Sequence, residues 1–216
     1  MKWKAVLFDL DGTLLNTLID LSNAVNRVLS IKGFPTHPID RYRYFVGEGA
    51  KLLIYRALPE DKRTDKIVND CLALFMDDYG QNWNVATRPY DGIHEMLDIV
   101  TAHGLKMAIL SNKPHELTVR CITTFFPIWK FEAVFGQRIA IPKKPDPTAA
   151  LEIAAILNIP PSEFHYLGDT AIDIKTAKAA QMHPVGVLWG FRPMEELKQS
   201  GADVFLHRPE DIIKIL

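Results

Sequence analysis

Apolar positions follow two grammars along this chain. From Ala5 to Phe8 every position is apolar, the mark of a strand buried on both faces, as in a parallel sheet. From residue 17 to about 84 the spacing becomes helical. Leu18, Leu21, Val25, Val28 and Leu29 recur on one face over 17–32, with Gly33 and Pro35 as the stop. A second helical stretch, 39–58, is interrupted at Gly47-Glu48-Gly49 and resumes from Ala50 to Leu58. A third, 61–79, carries Ile67, Leu72, Leu74, Phe75 and Met76 and is predicted to end near Gly80. No two-residue alternation marks a strand anywhere in this block.

From Pro89 onward strands and helices alternate. The pattern predicts helices over 93–103, 114–126, 148–157 and 170–181, and strands over 105–110, 131–135, 164–167, 184–188 and 202–206, before a closing helix. Such alternation predicts an α/β fold with a doubly wound parallel sheet. The helical block, residues 16–85, is too long for a simple crossover. It reads as an α-helical cap inserted after the first strand of a core made of residues 1–15 and 86–216.

Composition narrows the function. The 216 residues carry a net charge of −1, so no basic excess is present to neutralise nucleic-acid phosphates. No stretch is long and apolar enough to span a bilayer, and Asp9 and Asp11 cut the first apolar run too short for a signal peptide. Cys71 and Cys121 have no metal-ligand spacing and lie in helix-like segments, as buried small apolar residues do. A cytoplasmic protein acting on a small molecule, with neither nucleic acid nor membrane as partner, is the expectation, as a monomer or homodimer.

The candidate chemistry sits at strand ends. The first strand stops on Asp9 and Asp11, with Gly12 and Thr13 behind them; the second on Ser111 and Asn112; a later one on Asp169. Lys144 lies in the loop before that later strand. Parallel topology brings strand ends to one edge of the sheet, where ligands of open α/β sheets bind. Paired carboxylates repel unless a cation or a shared proton offsets the charge, and a hard divalent ion such as Mg²⁺ takes oxygen ligands. Asp9, ionised at neutral pH, can attack phosphorus without a base. Lys144 and Ser111, with amides near Thr13, can hold phosphoryl oxygens, and Asp11 can act as acid and then base. Taken singly, each has a structural alternative. Asp11-Gly12 is an ordinary turn, Ser111-Asn112 can cap the helix from Pro114, Lys144 can be a solvated loop lysine, and Asp169 can cap the helix from Thr170. His94, His103 and His165 read as helix or strand-surface residues, and Trp189 and Phe191 as packing. Coincidence at strand ends favours the site.

With these residues the chain resembles the haloacid dehalogenase superfamily. The matching motifs are Asp9-Leu10-Asp11-Gly12-Thr13, Ser111-Asn112-Lys113, Lys144-Pro145-Asp146-Pro147 and Gly168-Asp169-Thr170-Ala171-Ile172-Asp173, in the family's order. The resemblance implies Asp9 as nucleophile and Asp11 as general acid/base, with Ser111 and Lys144 on the phosphoryl group and Asn112 assisting. It implies Mg²⁺ held by Asp9, the Asp11 backbone carbonyl and Asp169, with Asp173 supporting the metal waters. Within the superfamily the chain is similar to phosphoglycolate phosphatases. Val46-Gly47-Glu48-Gly49 resembles their cap, which puts Gly47 among substrate-binding residues, and Val187-Leu188-Trp189-Gly190-Phe191 resembles their C-terminal region. Gln181 stands where these phosphatases usually carry glycine. The implied activity is Mg²⁺-dependent hydrolysis of a small phosphomonoester through an aspartyl-phosphate. A sugar-phosphate mutase shares the motifs, and a receiver-like signalling domain shares the acidic site.

Overall fold

The computed structural model describes residues 3–216. In chain order the elements are β1 (Ala5–Phe8), β2 (Leu15–Asn16), α1 (Leu18–Ile31), α2 (Ile39–Tyr42), α3 (Ala50–Ala57), α4 (Asp65–Asn82), β3 (Arg88–Pro89), α5 (Ile93–Ala102), β4 (Lys106–Pro114), α6 (His115–Phe125) and β5 (Ala133–Gln137). There follow α7 (Thr148–Leu157), β6 (Phe164–Gly168), α8 (Ala171–Ala179), β7 (His183–Val187), α9 (Met194–Gln199) and β8 (Val204–Leu206), with a 3-10 turn over Pro209–Lys214. The chain divides into two compact units, one of Met1–Leu15 with Pro89–Leu216 and the other of Asn16–Arg88.

The first unit is a six-stranded parallel sheet in the order β5-β4-β1-β6-β7-β8 with helices around it. β1 is central because all four of its residues are apolar and buried, which suits a strand with a neighbour on each side and a layer on each face. Successive side chains point to opposite faces. Ala5 and Leu7 join a core with Ala150, Ile153 and Leu157 of α7, Phe164 and Tyr166 of β6, and Ala177 of α8. Register aligns Phe8 with Ile109 on one side and Leu167 on the other, so the residues that follow all three emerge along one edge.

The second unit is helical throughout its long elements. Thr64 caps α4 by accepting from the Ile67 amide, and Phe75 stacks on Tyr79 at 5.3 Å. Buried Asp20 of α1 accepts from the amides of Ala86 and Thr87 at 2.8–2.9 Å, tying the returning chain to the first helix of its own unit. Arg27 joins α1 to α4 through both oxygens of Asp78, at 2.8 and 2.5 Å.

Several boundaries differ from the expectation. α4 runs past Gly80 to Asn82, because buried Tyr79 and Trp83 anchor the last turn and outweigh a cost of about 1 kcal/mol for a mid-helix glycine. α9, six residues opened by Pro193, had no prediction, and the last strand begins at Val204 rather than Ala202. The closing helix is a 3-10 turn. β4 does not stop at Leu110 but continues through Ser111-Asn112-Lys113 to Pro114, with a register shift over that stretch. Ser111, Asn112 and Lys113 are buried, so the strand carries on where its apolar run stops. His165 is buried rather than on a strand surface, its ring centroid 3.9 Å from that of Trp3 with the planes tilted by 40°, and its Nε2 2.9 Å from the Ile215 carbonyl.

Candidate active site

Lys144 is the hub of the site. It lies in the loop after β5, yet is buried, and its ammonium donates to Asp9 Oδ1 at 2.8 Å, to Asp173 Oδ1 at 2.6 Å and to the Leu110 carbonyl at 3.0 Å. Asn112 of β4 brings it in. The Asn112 side chain donates to the Lys144 carbonyl at 3.2 Å and accepts from the Lys144 amide at 2.9 Å, a two-point hold on the loop backbone. The solvated-lysine alternative fails on burial alone. Asn112, expected to assist with phosphate, has its amide committed to the Lys144 backbone in this structure.

Asp169 leaves the end of β6 and is wholly buried. Its Oδ2 accepts from the Phe191 amide at 2.8 Å and its Oδ1 from the Thr13 hydroxyl at 3.2 Å. It therefore does not cap α8. Thr170 does, and both its amide and its hydroxyl donate to Asp173 Oδ2, at 3.1 and 2.6 Å. Gly12 adopts φ +92°, and a Cβ there would lie 2.3 Å from Asp169 Oδ2, so the turn after Asp11 needs glycine twice over. Thr13, expected near the phosphoryl group, instead spends its hydroxyl on Asp169 and its amide on the Leu10 carbonyl at 3.2 Å.

Carboxylate oxygens of Asp9, Asp169 and Asp173 lie within 4.8 Å of one another. Three carboxylates face one ammonium, which leaves the cluster two negative charges in excess if all are ionised. Burial first, then repulsion from Asp173, pushes Asp9 up to about 7, against the pull of Lys144. Burial, then Asp173 and Asp9, likewise hold Asp169 well above the usual carboxylate range. Burial opposes the Lys144 charge, but Asp173 and Asp9 outweigh it and raise the ammonium well above its ordinary value. A cluster that resists ionisation this strongly is short of positive charge, and an all-oxygen donor set of this kind suits Mg²⁺.

Asp11 stands apart from that cluster. Its two oxygens accept from Lys113 Nζ at 3.0 and 3.3 Å. Ser111 is buried, and its hydroxyl accepts from the Lys113 amide at 3.2 Å rather than capping α6, whose N-cap residue is Pro114. Gly47 belongs to the helical unit, between α2 and α3, at φ +109°. Two contributors had no role in the sequence reading. Lys113 was visible only as the third residue of its motif, and Trp189, read as packing, donates its indole N–H to the Thr13 carbonyl at 2.8 Å.

A family model for haloacid dehalogenase-like hydrolases matches residues 6–187. The chain belongs to this family. Among its relatives, a phosphoglycolate phosphatase of Colwellia psychrerythraea is 35% identical over 204 residues, spanning 92% of this chain and 90% of its own. Another, of Aquifex aeolicus, is 30% identical over 213 residues, spanning 99% and 96%. A crystal structure from Lactobacillus delbrueckii subsp. bulgaricus, provisionally named a phosphoglycolate phosphatase, superposes with a TM-score of 0.93 at 30% identity, over 100% of this chain and 98% of that one. Like these relatives, this haloacid dehalogenase-like hydrolase is a phosphatase. No helix among its described residues is long and apolar enough to cross a membrane.

Proposed function

We propose that this hydrolase cleaves a small phosphomonoester through an aspartyl-phosphate on Asp9, with Mg²⁺ as cofactor. The observation that carries the reading is the buried Lys144 ammonium shared by Asp9 and Asp173, with Asp169 beside them. Asp9 and Asp169 would hold the ion together with the Asp11 backbone carbonyl, and Asp173 would orient its waters. When bound, Mg²⁺ offsets the excess negative charge and stabilises charge on the phosphoryl oxygens.

The chain's own groups do the rest. An Asp9 carboxylate oxygen attacks phosphorus and the bond from phosphorus to the ester oxygen breaks. That oxygen leaves as an alcohol, taking its proton from the Asp11 carboxyl group. Water then attacks the aspartyl-phosphate, gives a proton to the Asp11 carboxylate and frees Asp9 and inorganic phosphate. Lys144 orients Asp9 and lowers the repulsion between two anions, while the Ser111 hydroxyl donates to a phosphoryl oxygen.

The helical unit, Asn16–Arg88, serves in this reading as a cap that selects substrate, with Gly47 in its selecting loop. The leading substrate is 2-phosphoglycolate, because relatives that match nearly the whole chain bear that activity in their names. The test is phosphate release from a panel of small phosphomonoesters, with Mg²⁺ and with chelator. Release of phosphate that needs Mg²⁺ and is lost in Asp9→Asn is expected. Turnover that survives Asp9→Asn overturns the nucleophile, and isomerised product without free phosphate replaces hydrolase by mutase.

A further inference from the structure

Two buried lysines divide the two carboxylates of the first motif between them. Lys144 takes Asp9, and Lys113 takes Asp11. We infer that Lys113 is a positioning residue for the acid/base carboxylate of Asp11. The inference rests on the hydrolytic reading above.

The geometry is built from the backbone outward. β4 runs on through Lys113, so this residue stands on the sheet and not in a loop. Its amide donates to the Ser111 hydroxyl at 3.2 Å, and its carbonyl accepts from the Thr118 hydroxyl at 3.3 Å. Gly136 of the neighbouring strand approaches so closely that a Cβ there would lie 2.6 Å from the same carbonyl. From that fixed origin the side chain reaches Asp11 with only 3% of its surface exposed, whereas Asp11 retains 19%. Burying an ammonium is costly unless it is paired and hydrogen-bonded, so the chain does not place one here for solubility. Engaging both oxygens of one carboxylate fixes its plane as well as its position.

That is what the acid/base role demands. Asp9 is held by Lys144, and Asp169 by Thr13 and Phe191. Asp11 lies in the turn after β1, and the Lys113 ammonium is what braces its carboxylate against the sheet. A carboxyl group that must first give its proton to the leaving oxygen and then, as carboxylate, take one from water has to stay within hydrogen-bond reach of both.

The experiment is a double-mutant cycle over Lys113→Met and Asp11→Asn, reading kcat, KM and the Mg²⁺ half-saturation on the phosphomonoester that the unmodified protein turns over. Lys113→Met is expected to lower kcat about ten- to a hundredfold, the usual size of a supporting-residue effect, with KM and Mg²⁺ half-saturation within about twofold. It is expected to cost little more when Asp11 is already Asn, because it acts through Asp11. Unchanged kcat in Lys113→Met, a loss that multiplies fully with that of Asp11→Asn, or a shift of Mg²⁺ half-saturation equal to the loss in kcat overturns the assignment. Should Lys113→Met not fold, Lys113→Gln is read by the same criteria. Failure of the hydrolytic reading looks different, since Asp11→Asn itself then leaves kcat unchanged.

Discussion

Gly190 lies against Asp169 so closely that a Cβ at position 190 would fall 2.2 Å from the Asp169 Cβ and 2.5 Å from the Gly12 carbonyl. The next residue, Phe191, donates its amide to Asp169 Oδ2 at 2.8 Å. The loop after β7 thus presses on Asp169 from behind while its amide aims the carboxylate. Neither crowding atom is the far end of a flexible side chain, so a methyl group at 190 must displace one backbone or the other.

Gly190→Ala is therefore expected to misplace Asp169 and weaken Mg²⁺ binding about ten- to a hundredfold, as loss of outer support does at metal sites. The rise in melting temperature on adding Mg²⁺ without substrate reads this directly, because a ligand that binds the native state stabilises it by mass action. An unchanged Mg²⁺ titration of that shift would show that Asp169 does not need the close approach.

Lys144→Met tests the hub. Removing one partner from a buried ion pair costs about 3–5 kcal/mol, because the remaining charges lose their compensation, whereas exposed substitutions stay within about 0.5 kcal/mol. Denaturant unfolding in chelator should show a loss of the larger kind, with phosphate release abolished. Addition of Mg²⁺ should return part of the stability and none of the turnover. A stability change of the smaller size would mean that Lys144 is a solvated loop lysine after all.

Both cysteines should be silent in the native protein. Burial pushes the Cys121 thiol up to about 12 and also raises that of Cys71, and neither side chain reaches the surface. The thiolate is the reactive form, so little of it exists at pH 8. A disulfide reagent such as Ellman's is expected to find no fast-reacting thiol before denaturation and both afterwards. A fast thiol in the folded protein would expose a local opening of α4 or α6.

The sequence carried the site further than it carried the elements that hold it. Asp9 and Asp169 stand where an apolar run stops, and a parallel sheet must gather such positions at one edge, so their proximity follows from pattern and topology. Lys144 sits among polar residues and prolines that describe a loop, and nothing local says that the loop is drawn inward. The agent is Asn112, 32 residues away, whose amide matches both polar groups of the Lys144 backbone. Lys113 was hidden for the opposite reason. Where the apolar run stops the sequence shows only polar residues, and nothing local says that Lys113 is buried with its ammonium on Asp11. Trp189 was read as packing, and packing periodicity says nothing about where its indole N–H will point, which is at the Thr13 carbonyl. α9 is too short for helical spacing to register.

Gln181 offers the last prediction. α8 ends in a Schellman motif, with the Gln181 amide donating to the Lys178 carbonyl at 3.0 Å and the Met182 amide to the Ala177 carbonyl at 2.8 Å. That closure puts Gln181 at φ +59°, in the left-handed region, and its side chain is exposed. A residue with a Cβ is disfavoured there by about 1–2 kcal/mol, whereas glycine enters freely but loses about 0.5–1 kcal/mol more backbone entropy on folding. The first term is the larger, so Gln181→Gly should stabilise the protein by about 0.5–1 kcal/mol. At a few degrees per kcal/mol for a chain of this size, its melting temperature should rise about 1–4 °C. Gln181→Ala keeps the Cβ and should show no such rise, which separates backbone relief from loss of the side chain. Because the position lies on the far side of α8 from Asp173 along the chain, turnover and Mg²⁺ half-saturation should stay at their original values. A melting temperature that falls in Gln181→Gly would mean that the entropy of the unfolded chain outweighs the strain at this cap.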